Sequence, residues 1–187
     1  GWDQPIATRI TEAKALLAEA GGTDLKIKIA TANLPELIKM TESLADQWRK
    51  IGVESEIASV TYGELFGVGA SGDFDVLNSG LSVMANDPDE VAGDFTTGAP
   101  RNLARYSNSE VDKLRDQQST ALTLDERVDL VQQLERILLD ELPCFPQGLG
   151  SFGSGYWPWV KGWVKQDTFY GSYLRHDKTW IDESLKK

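Results

Sequence analysis

Two aspartates flank a proline in the run Asn86-Asp87-Pro88-Asp89, and their spacing could support general acid–base chemistry. Such chemistry needs carboxylates buried in a pocket, and spacing alone does not show burial. The same run is typical of a turn, because asparagine and aspartate side chains bond their own backbone and proline presets φ. The pair therefore leaves a small α/β hydrolase open as an alternative function.

One histidine and one cysteine limit the nucleophilic and metal chemistry of this chain. His176 has neither a second histidine nor a Gly-x-Ser-x-Gly serine with which to build a zinc centre or a catalytic triad. Cys144 lies in the apolar run LPCF, far in sequence from the histidine, and is predicted to be a buried structural thiol. We therefore predict no catalytic residue, metal ion or cofactor, and we do not expect an enzyme.

Residues 67–72, GVGASG, match the Gly-x-Gly-x-x-Gly pattern of dinucleotide-binding loops. That pattern works only after a strand and at the start of a helix, where backbone N–H groups meet the pyrophosphate. Here the glycines follow a short segment, residues 62–66, and lead into a predicted strand. We interpret them as a flexible connector and not as a nucleotide site.

Aromatic residues gather towards the C-terminal end of the chain: Phe152, Tyr156, Trp157, Trp159 and Trp163. Such rings could stack on a sugar, a peptide side chain or an aromatic ligand. Packing is the simpler interpretation for Trp159 and Trp163. A protein-interaction surface is a third possibility for the function, and exposed apolar area around Trp157 would support it.

Hydrophobic periodicity predicts the elements that must position these groups in the first half of the chain. They are helices at 8–20 and 34–51 and strands at 24–32, 53–60 and 73–81. Strands that alternate with helices favour a largely parallel sheet with helices on its faces. The predicted fold class is therefore α/β.

The second half is predicted to begin with two helices. One runs from Ser109 to about Ala121, and the next follows a capping box formed by Thr123 and Glu126. Pro143 and Pro146 are expected to end the second helix, because proline cannot continue the backbone hydrogen bonding.

The composition is that of a globular protein that does not bind nucleic acid. A chain of 187 residues fits one ordinary domain and can bury roughly 70% of its unfolded surface. The net charge of −10 disfavours contact with phosphates, which requires clustered lysine and arginine. No apolar run approaches the roughly 18 to 20 residues of a membrane span, so direct membrane insertion is not expected.

Four motifs between residues 73 and 114 carry a resemblance to a known family. They are Phe74-Asp75-Val76, Gly80, Asp87-Pro88-Asp89 and the run RYSNSEVD at 105–112. In this order they resemble the C-terminal part of the extracellular solute-binding proteins of the peptide/dipeptide class, family 5. The likeness covers nearly the whole chain, since EAKALLAEAG, DLKIKIA, IGVESEI and RVDLVQQLERILLDELPCFP are similar to family segments in the same order.

The resemblance implies both a fold and a function. Proteins of this family are two-lobed clamps of the type II periplasmic-binding-protein kind, which close over a solute and present it to an ABC importer permease. The implied location is outside the cytoplasm, either free in the periplasm or lipid-anchored at the cell surface. The implied partners of a monomer are a small organic solute and the transmembrane subunits of the permease.

The resemblance also implies how the chain is divided. Residues 1–154 are similar to the second, C-terminal ligand-binding lobe, and residues 155–187 to strands that return to a first lobe. That first lobe would lie outside this sequence, with a signal peptide farther upstream, since nothing at Gly1 resembles one. We expect the 187-residue chain alone to fold but to bind solute weakly or not at all.

The expected ligand surface follows from the predicted sheet, because an open α/β sheet binds ligands outside the carboxyl ends of its strands. We place it at the end of the third strand, residues 78–84, and around residues 147–152. The candidate ligand-binding residues are Asn78, Leu81, Met84, Asn86, Asp87, Gln147 and Phe152.

This sequence departs from the family pattern at one important position. Peptide-binding members carry Gly-Trp, and an aspartate three residues before the aspartate of the turn pairs with the peptide's ammonium group. Here Leu81 follows Gly80, and Met84 occupies the acidic position. A buried methionine cannot neutralise an ammonium, and an unpaired buried charge costs several kcal/mol. The solute is therefore expected to be either a peptide or an organic molecule without a free amine, such as an oligosaccharide.

Overall fold

The computed structural model describes residues 3–22, 24–80, 87–148, 155–163 and 176–186. The chain forms two compact units, residues 1–80 and residues 81–187. The boundary predicted at 154/155, between a binding lobe and returning strands, stays a prediction. In the described ranges, every helix is too short or too polar to cross a membrane.

The first unit contains a three-stranded parallel sheet with helices between its strands. Its elements are α1 (Ile6–Glu19), β1 (Lys26–Ala32), α2 (Pro35–Arg49), β2 (Glu54–Val60), α3 (Tyr62–Ser71) and β3 (Val76–Asn78). The strand order is β2-β1-β3, and both pairs are parallel. The predicted α/β class, with a parallel sheet flanked by helices, is confirmed.

Small residues in β1 allow the helices to pack closely on the sheet. Ala30 and Ala32 are buried, and the side chain of Leu65 from α3 packs against them. Six partly buried apolar residues complete this core: Leu34, Leu37, Val60, Val68, Phe74 and Leu77. Burial of this kind stabilises by roughly 25 cal/mol per Å² of apolar surface removed from water.

The glycines at 67–72 are not a flexible connector, and that prediction is wrong. Residues 62–71 form α3, which begins at a reciprocal capping box between Thr61 and Glu64 and ends at Gly72 with φ 75°. A glycine inside a helix costs about 1 kcal/mol relative to alanine. The capping box and the burial of Leu65 against the sheet outweigh that cost.

The third strand is shorter than the predicted range 73–81. It spans Val76–Asn78, and Leu81 lies outside the described residues. Two aspartates precede it and bond to Lys28 of β1: Asp75 Oδ2 accepts from the Lys28 backbone N–H at 2.7 Å, and Asp73 pairs with the Lys28 ammonium at 2.8 Å. At this position the backbone pairing is half complete: the Asp75 N–H donates to the Lys28 carbonyl at 3.0 Å, while the Lys28 N–H donates to the Asp75 side chain.

The second unit consists mainly of helices. Its elements are α4 (Asp89–Ala92), a 3₁₀ turn (Gly93–Phe95), α5 (Ser109–Thr120), α6 (Leu124–Glu141) and an antiparallel pair of short strands, β4 (Val160–Lys161) and β5 (Trp180–Ile181). The two predicted helices are confirmed as α5 and α6. Their caps are Asn108, which accepts from the N–H of Glu110, and Thr123, which accepts from the N–H of Glu126.

The core of the second unit joins α4, α5 and α6. Its buried residues are Ala92, Phe95, Val111, Leu114 and Leu134. After α6 the chain passes through Leu142, whose φ of 48° ends the helix, to Cys144. Cys144 is exposed, so the prediction of a buried thiol is wrong. Desolvation of its sulfur and the nearby Asp94 carboxylate nevertheless raise the pKa of the thiol, which keeps it protonated at neutral pH.

Candidate functional site

The carboxyl ends of the three parallel strands meet at one edge of the first unit. Ala32 of β1 pairs with Val60 of β2, and Thr31 of β1 pairs with Asn78 of β3. The backbone N–H of Asn33 donates to the carbonyl of Val60 at 2.7 Å and extends the pairing by one residue. Ligands of open α/β sheets bind outside such an edge, so it is the candidate functional site.

Asn78 fixes the end of β3 from inside the unit. Its side chain is only 4% exposed, and its amide nitrogen donates to Thr41 Oγ1 at 2.7 Å. The same nitrogen lies 3.2 Å from the Leu37 carbonyl and 3.3 Å from Thr31 Oγ1. The predicted ligand-binding residue Asn78 therefore ties β3 to β1 and α2, beneath the edge.

An exposed aromatic pair lies beside this edge, on the first two turns of α3. Tyr62 and Phe66 are 57% and 63% exposed, and their rings meet edge to face with centroids 5.5 Å apart. Thr61, the cap of α3, directly follows the last residue of β2. The sequence interpretation missed this pair, although the four-residue spacing of the aromatics and the capping-box residues Thr61 and Glu64 could have revealed it.

Asp87 lies in the second unit, immediately before Pro88 and α4. Its carboxylate accepts two hydrogen bonds from the Arg127 guanidinium, at 2.7 Å and 3.2 Å, and one from the Asp89 backbone N–H at 3.0 Å. The Asp89 N–H and then Arg127 lower the pKa of the Asp87 carboxyl. A carboxyl held in the ionised form cannot act as a general acid near neutral pH, which argues against the hydrolase alternative.

A buried glutamine connects this ion pair to α5. Gln118 is 1% exposed; its Oε1 accepts from Arg127 Nε at 2.9 Å, and its Nε2 donates to Asp89 Oδ1. Ser119 also donates to Asp89 Oδ1, at 2.6 Å. Neither Arg127 nor Gln118 was singled out from the sequence, because contacts across forty and twenty-nine residues leave no local pattern.

A cavity of about 530 Å³ lies between α4 and the loop that follows it. It is lined by Asp87, Asp89, Glu90, Gly93, Asp94, Ala99, Pro100 and Arg101. Asp94 is 7% exposed and pairs with Arg101 at 2.8 Å, and desolvation raises the pKa of its carboxyl against the opposing effect of Arg101. Within the described residues, no group of histidine, cysteine and carboxylate side chains could hold a metal ion.

The remaining predicted ligand-binding residues are distributed as follows. Gln147 is exposed after the end of α6, while Leu81, Met84, Asn86 and Phe152 lie outside the described residues. Asn78 belongs to the first unit and Asp87 to the second. The set as a whole stays a prediction.

Among the described aromatic residues near the C-terminal end, two pairs of rings are in contact. Trp157 stacks on Trp159 with centroids 4.8 Å apart, and Tyr156 lies 6.1 Å from Trp163. Trp159 and Trp163 are half-buried, as a packing role requires, whereas Tyr156 and Trp157 are exposed. Phe152 of the predicted cluster lies outside the described residues.

Comparison with known proteins gives a family match over the first half of the chain. The model of the family described as bacterial extracellular solute-binding proteins, family 5 (middle), matches residues 1–102. The chain is similar to heme-binding protein A of Haemophilus influenzae, with 30% identity over 86% of this chain and 32% of that protein. It is also similar to the periplasmic murein peptide-binding protein MppA of Escherichia coli, with 26% identity over 81% of this chain and 29% of that protein.

Solved structures agree on the fold. The structure of Haemophilus influenzae OppA in complex with the peptide RPPGFSPFR matches 96% of this chain and 36% of that protein, with a TM-score of 0.80 and 22% identity. At that identity the likeness shows the fold, which is that of the two-lobed periplasmic binding proteins. The chain spans about a third of the length of the curated relatives that it matches.

Proposed function

This chain belongs to the bacterial extracellular solute-binding proteins, family 5, and we propose that it captures an organic solute for delivery to the permease of an ABC importer. The observation that carries the proposal is the family match over residues 1–102, which includes the whole parallel sheet and its carboxyl edge. The place of action is outside the cytoplasm, as the family description and the periplasmic relative MppA indicate.

The chain is proposed to be one part of a two-lobed clamp. Residues 1–154 form the second ligand-binding lobe, and residues 155–187 return towards a first lobe. Two observations support this division: the chain spans about a third of its relatives, and β4 and β5 leave Trp180 and Ile181 exposed. Exposed apolar surface of this kind is typical of faces that another part of a protein covers. The proposed first lobe would also cover Trp157. The exposure of Trp157 therefore does not require a separate protein-interaction surface.

The solute is proposed to lie over the carboxyl edge of the sheet. Tyr62 and Phe66 offer it an apolar wall beside that edge, where stacked or edge-to-face rings contribute roughly 0.5–1.5 kcal/mol beyond the area they bury. Asn78 supports the end of β3 from beneath. Leu81, Met84, Asn86, Asp87, Gln147 and Phe152 remain candidate ligand-binding residues on the ground of the sequence alone.

The proposed solute class is a peptide whose binding does not depend on a free α-ammonium group. MppA and the peptide-bound OppA favour a peptide, whereas the heme-binding relative is named for a ligand that is not a peptide. Met84 stands at the position where the family resemblance expects the ammonium-binding aspartate. The oligosaccharide alternative finds no support among these relatives.

Native mass spectrometry of the full-length protein tests the proposal. We expect the protein to carry an organic solute, which is released chemically unchanged when the collision energy is raised. Tyr62→Ala/Phe66→Ala should reduce the fraction of loaded protein, whereas Leu16→Ala, which removes another exposed apolar side chain of the same unit, should not. A protein that neither carries a solute nor binds any di- to pentapeptide, or one that returns cleaved products, would contradict the proposal.

A further inference from the structure

One flank of the helix α6 is apolar without belonging to the core of the second unit. The core contacts of α6 are made by Leu130, Leu134, Ile137 and Leu138. At 3.6 residues per turn, a second row of apolar side chains runs beside them. This row, the α6 stripe, consists of Leu124, Val128, Val131, Leu139 and Leu142. Its members near the two ends, Leu124 and Leu139, are 75% and 64% exposed, and only Val131 is half-buried.

The α6 stripe is continuous along the whole helix. From Leu124 to Leu142 it extends about 27 Å, at 1.5 Å per residue. Single exposed apolar residues are normal on a protein surface and need no explanation. A row at intervals of three and four residues is instead typical of a helix face that a second helix covers.

The acidic residues of α6 fall into two groups. Asp125 and Glu126 lie in the first turn, where the helix dipole favours negative charge. Glu141 accepts hydrogen bonds from Tyr106 and Asn108, which join α6 to the start of α5. These three carboxylates therefore have a role in the fold. The second group consists of Asp129, Glu135 and Asp140.

The second group has no such role. Asp129, Glu135 and Asp140 are exposed, and their carboxylates make no ion pair or hydrogen bond with any described residue. An exposed carboxylate on α5 differs in this respect, since Glu110 pairs with Lys113 at 3.2 Å. Asp140 lies in the last turn of α6, where the helix dipole disfavours negative charge.

These unused carboxylates lie along the α6 stripe. By the periodicity of the helix, Glu135 falls within the stripe, and Asp129 and Asp140 fall on its solvent side, away from the core. A partner that covers the stripe must therefore approach an apolar row with negative charge inside it and along its outer border.

The charge of this flank selects among the possible occupants. Two copies of the chain that met through the same face would bring their carboxylates together, because a two-fold interface places the same patch on both subunits. An anionic lipid surface would be repelled in the same way. A helix with lysine or arginine beside an apolar row would cover the stripe and neutralise the carboxylates.

We propose that the α6 stripe is a docking surface for a basic amphipathic helix of a partner protein. The apolar row of that helix packs on Leu124, Val128, Leu139 and Leu142, and its lysine or arginine side chains pair with Asp129, Glu135 and Asp140. The surface lies wholly within the second unit and does not depend on which solute the protein carries.

The first measurement asks whether the stripe is open in the full-length protein. Leu139→Cys, made together with Cys144→Ser, is treated with a maleimide, and the labelled peptide is quantified by mass spectrometry. We expect the native protein to react at no less than about a tenth of its rate in urea. Much slower labelling of the native protein would show that another part of the same protein covers the stripe, which would overturn the proposal.

The second measurement uses a helical probe of the proposed chemistry. The fluorescently labelled peptide Ac-LKKLLKLLKKLLKL-NH2 is titrated against the full-length protein, with its counterpart Ac-LEELLELLEELLEL-NH2 as the charge control. We expect the lysine peptide to bind at least about tenfold more tightly than the glutamate peptide. Equal binding of both peptides would contradict the role of the three carboxylates.

Variants locate the bound probe. Leu124→Ser/Leu139→Ser keeps every charge and should weaken the lysine peptide about tenfold or more, whereas Ile6→Ser/Leu16→Ser on α1 should not. Unchanged binding to Leu124→Ser/Leu139→Ser would mean that the peptide meets only the diffuse negative charge of the protein. A loss confined to Tyr62→Ala/Phe66→Ala would mean that it binds as a solute. Either result overturns the proposal, and the second still supports the proposed function.

Two other occupants are tested with the same variant. Sedimentation of the full-length protein detects a dimer, and flotation with vesicles of phosphatidylcholine and phosphatidylglycerol detects membrane binding. We expect a monomer that stays off the vesicles. A dimer that Leu124→Ser/Leu139→Ser dissociates would assign the stripe to a second copy, and vesicle binding lost in that variant would assign it to a lipid surface. Each outcome would overturn the assignment to a basic helix.

Discussion

Each of the two units of the chain fixes part of its backbone by a different chemistry. In the first unit a buried, uncharged amide, Asn78, holds the end of β3. In the second unit a half-buried ion pair, Asp87 with Arg127, holds the start of α4. A neutral amide can be buried completely if it is hydrogen-bonded, whereas an ion pair loses less solvation when part of it stays in contact with water. The first anchor should therefore be insensitive to pH, and the second should not.

Loss of the buried amide should have the largest effect on stability. We expect Asn78→Ala to lower the free energy of unfolding by about 2–3 kcal/mol, because it removes the amide that donates to the buried Thr41 Oγ1 and leaves a space in its place. Urea denaturation at pH 5 and pH 7 should give the same loss. In a double-mutant cycle with Thr41→Val, the double variant should lose less free energy of unfolding than the sum of the two single variants. If the two losses simply add, the hydrogen bond between Asn78 and Thr41 is not the source of the effect.

A change at Met84 should alter affinity more than stability. Met84→Asp restores the carboxylate that the family resemblance expects, so a free-amine tripeptide should bind about tenfold or more tightly than its N-acetylated form. In the natural sequence the two forms should bind alike. Calorimetry on the full-length protein measures both ratios, and a strong preference of the natural sequence for the free amine would contradict the assigned role of Met84.

Two glycines in and next to α3 should respond in opposite directions. Gly67 lies inside the helix with open space around its Cβ position, so Gly67→Ala should raise the free energy of unfolding by about 0.5–1 kcal/mol. Gly72 ends the helix at φ 75°, a conformation that alanine adopts only with strain. Gly72→Ala should therefore lower the free energy of unfolding by about 1 kcal/mol. Thermal denaturation of the pair tests the helix directly, since a flexible connector at 67–72 would give no stabilisation from Gly67→Ala.

Acid should weaken the charged anchor and leave the amide anchor intact. The pKa of Asp87 is lowered from its ordinary value of 3.8 by the Asp89 N–H and by Arg127. Its contribution to stability is therefore present above about pH 3.8 and is lost as the pH falls through the lower folded value. Asp87→Asn should flatten this acid limb in a series of urea denaturations, and an unchanged limb would show that the ion pair contributes nothing measurable.

Asp94 provides the matched comparison, because the pKa of its carboxyl is raised, chiefly by desolvation. Folding then favours the protonated form, so its contribution falls as the pH rises from 3.8 through the folded value. The natural protein should lose stability above pH 3.8 because Asp94 ionises, and Asp94→Asn should abolish that loss. It should lose stability below pH 3.8 because Asp87 is protonated, and Asp87→Asn should abolish that second loss. Equal effects of the two variants at all pH values would mean that neither carboxyl titrates as its surroundings indicate.

The sequence predicted the sheet of the first unit well, because the determining signals are local. Alternation from Lys26 to Ala32 and the apolar stripe on α2 each lie within a single element. The prediction at 67–72 was wrong because it rested on the place of the glycines before a strand, whereas the capping box at Thr61 and the burial of Leu65 favour a helix there. Cys144 was misjudged because its apolar neighbours in sequence do not enclose it in space.

The polar residues that fix the backbone, Asn78 in the first unit and Arg127 in the second, could not be predicted in the same way. Asn78 is a polar residue at the end of an apolar strand, and only the positions of Thr31, Leu37 and Thr41 show why it is buried. Arg127 looks like an ordinary exposed residue of an amphipathic helix until α4 is placed beside it. Partners separated by forty residues are set by tertiary packing, for which neither propensity nor periodicity carries information.

Calorimetric titration of the same solute into the 187-residue chain and into the full-length protein tests the central claim most directly. If this chain is one lobe of a clamp, the full-length protein should bind the co-purified solute at least 100-fold more tightly than the chain alone, which should still melt cooperatively. Nanomolar binding by the 187-residue chain alone would contradict the claim, because it would show a complete binding site without a second lobe.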